Sequence, residues 1–415
     1  MNNDPIAPVP SHAPQTRFAV QDNCLMLGGV ALTRLAQRAG RTPFYAYDRQ
    51  LLTGTVLALK AMLPAGLALN YSVKANPMPA LVAQMVTLVD GFDVASAGEL
   101  HVALNAGMRP EHIIFSGPGK TDAELLQALA AGVTINVESS GELIRLANMA
   151  KLWQFDPHLM LRINPDFTLR SSGVAMGGGA KPFGIDAEQI PALLEQCQRL
   201  GLRRIGFHIY AGSQNLNASA ITQAQTRSCD LVLRIMQDSA LELSRLNLGG
   251  GFGIPYFPGD RPLDMPAVAA HLHEVVRRTR QIWPAVRVEI ESGRYLVGEA
   301  GIYVTRVIDR KTSRGRCFLV TDGGMNHHLA VTGNFGQTLR KNYPVAVGNK
   351  MASPCGELAT VVGPLCTPLD MLADQMPLAH AEVGDLIVVF QSGAYGCSAS
   401  PVGFLSHAAA LEMLV

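Results

Sequence analysis

Leu67-Ala-Leu-Asn-Tyr-Ser-Val-Lys-Ala-Asn-Pro77 opens the part of the sequence that decides the fold. A short apolar run ends near Tyr71, a lysine stands just past it, and a helical pattern follows. The theme of apolar run, polar turn and helical pattern then recurs to about residue 290. The expected strands are Leu67–Tyr71, Gly91–Val94, His112–Phe115, Val133–Val137, His158–Ile163, Arg203–His208, Ser244–Leu248 and Val286–Ile290. Helix-start chemistry separates them. Ser96-x-x-Glu99, Thr121-x-x-Glu124 and Ser139-x-x-Glu142 have capping-box spacing, in which two side chains satisfy free amides at a helix N-terminus. Strands alternating with helices in this number predict a (β/α)8 barrel of TIM type, with a doubly wound open sheet as the alternative.

After Glu291 the rhythm changes. Ile302–Ile308, Cys317–Thr321, Thr360–Val362 and Leu386–Phe390 read as strands separated by Gly, Pro and Asn, which predicts a second, β-rich (β-barrel-like) domain. Leu25–Tyr47 precedes the barrel pattern and can add to that domain, making it discontinuous. The expected division is a flexible tail over 1–24, a barrel over 45–290, and a β-rich domain drawn from 25–44 and 291–415.

Composition narrows the partners. With 415 residues, 48% of them hydrophobic, the chain can build a large core, and a net charge of +1 gives no reason to expect nucleic acid or an anionic membrane surface. Seven cysteines are scattered and never spaced C-x-x-C, which speaks against a disulfide framework or structural zinc and fits a reducing cytoplasm. No apolar run approaches the ~18 residues of a membrane span, and the first 20 residues are polar and proline-rich, without the core of a signal peptide. A soluble, cytoplasmic protein is expected.

In such a barrel, functional groups gather at the C-terminal strand ends. Lys74 lies there after the first strand, Asp93 in the second, His208 at the end of the sixth, Gly249–Gly251 after the seventh, and Glu291 and Arg294 after the eighth. Lys74 stands between Val73 and Ala75; a lysine buried at that point would lose charge and could attack an aldehyde, whereas a surface lysine at a strand end would do nothing of the kind. Leu248-Gly-Gly-Gly-Phe-Gly253 lacks side chains that would keep an anion from its amides, so it can cradle phosphate or form a plain surface turn. It is not a dinucleotide fingerprint, because Pro255 and Pro258 follow where a helix would begin. Glu291 beside a pyridine nitrogen would favour the protonated ring, and Arg294 could grip phosphate or carboxylate; the two could also be a surface ion pair. Cys366 and Tyr395 in the second domain are open to binding or simple packing roles. His271 and His273 face apart on a helix, and His327-His328 lack metal-ligand spacing, so no metal is expected. Gly177-Gly-Gly179 with Lys181 is expected to be a mobile loop after the fifth strand.

Taken together, these segments resemble the fold-type III decarboxylases that use pyridoxal 5′-phosphate (PLP), the group holding diaminopimelate, ornithine and arginine decarboxylases. The likeness rests on Tyr71-Ser-Val-Lys-Ala-Asn-Pro77, Asp93-Val-Ala-Ser-Ala-Gly-Glu-Leu100, Leu248–Gly253, Glu291-x-Gly293-Arg294, Asp322-Gly-Gly-Met325, Gly363-Pro-Leu-Cys366 through Asp370, and Gly393-Ala-Tyr395, in order across about 25–415. It implies that Lys74 holds PLP as a Schiff base, that substrate amine displaces it to an external aldimine, and that the α-carboxylate leaves to a quinonoid carbanion. Cys366, or Lys74 itself, is implied as proton donor. Asp93, His208, Tyr210, Ser213, Gly249, Gly250, Gly251, Glu291, Gly293, Arg294 and Tyr395 are implied cofactor contacts, and Arg294, Asp322, Thr367, Asp370 and Tyr395 substrate contacts. A homodimer with the Cys366 segment lent to the partner's site is implied as well.

Three positions depart from the family pattern. Tyr210, in His208-Ile-Tyr-Ala-Gly-Ser213, stands where a histidine usually covers the ring; Ser292 replaces a proline; and Thr367 replaces the acidic residue that meets a distal substrate amine. A hydroxyl cannot balance a distal ammonium. The Cys366 segment and the ending through His407 look closer to exosortase-associated decarboxylases and to those acting on a carrier-linked glutamyl group. The expected substrate therefore has a neutral, acylated or carrier-linked distal end. The rival readings are diaminopimelate decarboxylase proper, a PLP racemase (which Glu291 disfavours), a non-catalytic PLP carrier, and a phosphosugar barrel enzyme.

Overall fold

The computed structural model describes residues 11–168, 174–175 (backbone alone), 177–202, 204–237, 239–337 and 339–415. The chain divides into two compact units, Leu52–Gly253 with Leu263–Val297, and Met1–Leu51 with Ile254–Pro262 and Gly298–Val415.

The first unit is a closed parallel barrel. Its strands are β1 (Ala68–Ser72), β2 (Gly91–Val94), β3 (Ile113–Phe115), β4 (Thr134–Val137), β5 (Leu159–Asn164), β6 (Arg204–Ile209), β7 (Glu242–Asn247) and β8 (Arg287–Ser292). They pair in the order β1-β2-β3-β4-β5-β6-β7-β8, and β8 closes on β1 with Glu291 opposite Asn70. Each expected strand is present; the expected first residue of the sixth, Arg203, lies outside the described residues. A helix follows each of the first seven strands, and the short Arg294–Val297 turn follows β8.

Alternation along these strands explains both the barrel and its site. Leu69, Phe92, Phe115, Ile135, Leu161, Phe207, Leu246 and Ile290 are buried, as expected on the face that helices cover. The intervening positions carry Asn70, Asp93, Asn136, Arg162, His208, Asn247, Glu289 and Glu291, polar and equally buried. A lumen lined this way folds only if those groups satisfy one another.

The capping motifs act as read, with a variation. Ser96, Thr121 and Ser139 each accept the amide three residues on. Thr121 and Glu124 make the full reciprocal box, whereas Glu99 and Glu142 reach one residue further back, to the amides of Ala95 and Glu138.

The second unit is β-rich. Its larger sheet orders Val345–Val347, Leu386–Val389, Gly301–Ser313, Arg316–Thr321, Glu357–Val362 and Met371–Leu378, with Phe44–Tyr47 pairing Gly301–Ser313 on one side and Leu411–Leu414 on the other. Leu25, Leu27, Leu32, Phe44, Ile302, Val388 and Phe390 form its core.

Two expectations need correction here. Of the tail expected over 1–24, residues 1–10 lie outside the described residues, and from Val20 an anchored hairpin takes its place. Val20–Gln21 pairs Cys24–Leu27 through Asp22-Asn23, both at positive φ, and Phe18 is buried beside Phe390. Asp-Asn tolerates that left-handed turn, and the strands are too short for periodicity to reveal. The stretch Ile254–Pro262, expected inside the barrel, belongs to the β-rich unit. Its prolines block a helix, and Tyr256 packs 4.5 Å (ring centroids) from Tyr343.

Candidate active site

Because the barrel strands are parallel and closed, their C-terminal ends form one mouth. Lys74 reaches it from the turn Val73–Ala75 after β1. Val73 and Ala75 are buried, which turns the lysine between them outward; its side chain is 42% exposed, and Nζ lies 3.2 Å from Asp93 Oδ2. The expected burial of this amine is thus replaced by pairing with a buried carboxylate at the rim.

Asp93 starts a chain of contacts across the lumen. Its Oδ1 accepts from Ser116 Oγ at 2.6 Å, and Ser116 Oγ accepts from Asn136 Nδ2 at 3.2 Å. Asn136 Nδ2 lies 2.6 Å from His208 Nδ1, and His208 Nε2 lies 3.5 Å from Glu291 Oε2, long for a hydrogen bond. Asn247 Nδ2 adds a contact to the same Oε2 at 3.4 Å. The carboxyls of Asp93 and Glu291 are driven apart. Asp93 is pushed up by burial and by the charge of Glu291, against the pull of Lys74 and Ser116. Burial also acts to raise Glu291, but His208, Lys74 and Arg162 outweigh it and hold that carboxyl well below the usual range. One buried acid held firmly as its ion, beside one that takes up a proton more readily, is an arrangement found where protons are managed.

The glycine run after β7 is sewn to its neighbours through backbone. Gly249 N–H donates to Asn247 Oδ1 at 2.8 Å, Glu291 N–H to Gly249 O at 2.9 Å, and Asn215 N–H to Gly251 O at 2.9 Å. A Cβ on Gly250 would stand 1.7 Å from the Glu291 carbonyl, and one on Gly251 1.9 Å from that of Gly212. Only glycine permits this approach, and it leaves the loop amides unscreened by side chains. Ser213 and Tyr210 lie on the adjoining loop, Tyr210 with its ring centroid 6.3 Å from that of His208. His208 itself is inside the lumen, engaged with Asn136 and Glu291. Gly293 brings the exit of β8 against Ala75, beside the lysine turn, and Arg294 opens the short helix that follows.

The second unit treats its expected site residues differently. Asp322 is committed to Thr42 Oγ1, Thr305 Oγ1 (2.7 Å) and the Arg306 amide (2.9 Å). Asp370, 2% exposed, accepts from the amides of Met325 (2.5 Å) and Leu365 (2.8 Å). Both were expected to meet substrate; their geometry makes them braces between loops. Cys366 is exposed on the turn that Asp370 holds, and Thr367 Oγ1 accepts the Leu369 amide at 3.3 Å. Tyr395 is half-buried at φ 53°, its ring 6.5 Å from Phe335.

Several participants escaped the sequence reading. Ser116, Asn136 and Asn247 carry the lumen chain, Glu138 binds Arg162 at 2.8 Å, and Lys120 pairs with Glu142 at 2.8 Å in a fully buried position. For Asn136 and Asn247 a signal was present: strands buried on both faces should be continuously apolar, and each interrupts such a run. The loop expected to be mobile is tied where it is described, since Asn164 accepts from the Gly178 amide and donates to the Gly179 carbonyl. His271 and His273 bond to Thr226 and Met62 separately, and no metal-holding cluster occurs among the described residues.

Residues 52–298 match the family described as pyridoxal-dependent decarboxylase, pyridoxal binding domain. The chain belongs to this family. It is 38% identical to the L-glutamyl-[BtrI acyl-carrier protein] decarboxylase of Niallia circulans over 92% of this chain and 90% of that one. It is 33% identical to diaminopimelate decarboxylase of Archaeoglobus fulgidus over 91% and 89%. Diaminopimelate decarboxylase of Helicobacter pylori, solved with L-lysine, superposes with a TM-score of 0.82 at 25% identity, covering 92% of this chain and 94% of that one. The chain is a PLP-dependent carboxy-lyase. Its residues fit that cofactor. Both polar contacts of Glu291 fall on Oε2, so among the described residues Oε1 is left for a donor such as a ring N–H, and the glycine run presents amides to an anion. No helix among the described residues is long and apolar enough to cross a membrane.

Proposed function

We propose that this decarboxylase removes the α-carboxylate of an amino-acid derivative whose distal end is neutral, acylated or carrier-linked, not a free ammonium. The observation that carries the reading is the segment Gly363–Asp370. Thr367 offers a hydroxyl, and the segment's one carboxylate, Asp370, is buried with both oxygens accepting backbone amides. Nothing in that segment can balance a distal charge, and an unpaired ammonium costs affinity. The likeness to a decarboxylase of a carrier-linked glutamyl group supports the same reading.

PLP, when bound, supplies an electron sink for the pair left on the α-carbon as CO2 departs. Lys74 is the residue proposed to hold it covalently, Glu291 to keep the proton on its ring nitrogen, and Gly249–Gly251 with Ser213, Arg294 and Tyr395 to hold its phosphate. Tyr210 is proposed to cover the ring. Cys366 or Lys74 returns a proton to the α-carbon, with Cys366 contributed by the second copy of a homodimer. Seven free cysteines accord with a reducing cytoplasm.

The test is CO2 release from diaminopimelate, ornithine, lysine and carrier-linked glutamate, with wild type and Thr367→Asp. Carrier-linked glutamate should be the efficient substrate, and Thr367→Asp should shift preference toward the diamines. Efficient turnover of free diaminopimelate by the wild type would sink the reading.

A further inference from the structure

His208 stands between an amide and a carboxylate, with Asn136 Nδ2 2.6 Å from its Nδ1 and Glu291 Oε2 3.5 Å from its Nε2. An imidazole can carry its proton on either nitrogen, and the hydrogen bond made by one decides the other. Here the decision begins two residues away in the network. Asp93 presents one oxygen to Lys74 Nζ at 3.2 Å and the other to Ser116 Oγ at 2.6 Å, so the serine spends its single hydrogen on the carboxylate. Ser116 Oγ can then only accept from Asn136 at 3.2 Å, which turns the amide nitrogen toward it. The second hydrogen of that nitrogen is left for Nδ1 of His208. The opposite amide orientation would set its oxygen against a hydroxyl with no hydrogen to give. A ring accepting at Nδ1 carries its proton on Nε2, aimed at Glu291.

The backbone at Asn136 is also held in place: Lys120 Nζ donates to its main-chain carbonyl at 3.0 Å, and Lys120 is fixed by its buried ion pair with Glu142. The charged groups that face the ring are Glu291 on β8, Asp93 on β2 and Arg162, whose position on β5 pairs with His208.

We propose that Asn136 is a positioning residue: it fixes the His208 proton on Nε2, and that proton keeps Glu291 ionised with one oxygen open toward the ring nitrogen of PLP. The last clause rests on the role given to Glu291 above; the placement of the proton does not. Reversing the tautomer would point a lone pair at a carboxylate, which favours protonating Glu291, and a neutral acid cannot hold a proton on the pyridine.

The experiment is 15N NMR of histidine-labelled apoenzyme and holoenzyme, with the His208 signals assigned by their loss in His208→Gln. In the wild type Nε2 should be protonated and Nδ1 bare. In Asn136→Asp a carboxylate faces Nδ1, so Nδ1 should gain a proton. Removing the partner that orients a histidine typically costs 10–100-fold in metal sites, and a loss of roughly that size in kcat is expected here, with KM nearly unchanged. A proton on Nδ1 in the wild type overturns the proposal, as does an unchanged ring in Asn136→Asp. A ring that shifts while kcat holds overturns the link to Glu291. If Asn136→Asp does not fold, the wild-type spectrum still decides the tautomer. A wrong substrate assignment would appear in the CO2 panel and leave the nitrogen spectrum as it is.

Discussion

Asp93 and Glu291 in the barrel, and Asp322 and Asp370 in the β-rich unit, are residues of one chemical type in motifs of similar appearance, and the structure uses them in opposite ways. The barrel pair is satisfied by side chains. Asp93 meets Lys74 and Ser116, and Glu291 meets His208 and Asn247 through one oxygen. The other pair braces the chain, Asp370 through two backbone amides and Asp322 through one amide and two threonine hydroxyls. The difference follows from architecture. A closed parallel sheet brings strand ends from residues 72 to 292 round one ring without needing side chains to hold them there. The Gly-rich loops of the second unit have no ladder to fix them, and Asp370, buried, and Asp322, half-buried, do that work. Position in a motif does not separate a reacting carboxylate from a bracing one; its partners do.

Lys74→Ala should have the largest effect on the barrel's chemistry. Loss of the amine should bring CO2 release to background while the fold persists, since the side chain is 42% exposed and its neighbours Val73 and Ala75 carry the packing. Borohydride followed by peptide mapping should find phosphopyridoxyl on Lys74 in the wild type and none in the variant. Turnover that survives would remove the barrel's claim to the chemistry. Asp370→Ala should act the other way. It leaves the buried Leu365 amide without an acceptor, at roughly 1–3 kcal/mol, and the part-buried Met325 amide as well, so melting temperature should fall clearly. Calorimetry beside activity titrated per folded site separates the cases: a variant as stable as wild type but inactive would return Asp370 to the substrate.

How much of this was legible depended on periodicity. The barrel was, because eight apolar runs recur with capping residues between them, and strand ends point at Lys74, Asp93, His208 and Glu291. Three things were not. Val20–Gln21 and Cys24–Leu27 are too short to show a period, though Asp22-Asn23 between them carried turn chemistry. Ser116 looked like an ordinary polar residue past a strand, and Asn136 showed only as a break in an apolar run, since what gives them meaning is a neighbour on another strand. Asp322 and Asp370 were read by resemblance as substrate contacts, and no sequence pattern shows that a backbone amide has already claimed an oxygen.

The smallest effect concerns a carboxylate that braces through charge. Glu357 takes Arg310 at both oxygens, Nη1 at 2.8 Å and Nη2 at 2.5 Å, and accepts the Ala381 amide at 3.0 Å. Those hydrogen bonds, led by the guanidinium, hold it down at about 2. An unfolded glutamate titrates near ~4.3, so the folded state binds its proton less readily. The resulting stability is complete above the unfolded value and is lost as pH falls toward about 2. Glu357→Gln should therefore lower the melting temperature at pH 7 by about 2–4 °C, the shift expected for roughly 1 kcal/mol in a domain of this size. The gap to wild type should close progressively below about pH 4.5, where the native carboxyl begins to lose its advantage. Melting curves across pH 2.5–7 measure it. A gap that stays constant to the acid end would mean that shape and not charge holds this edge of the sheet, and the contrast with Glu291, whose ionisation is set by the groups around it, would then lie in chemistry as well as in place.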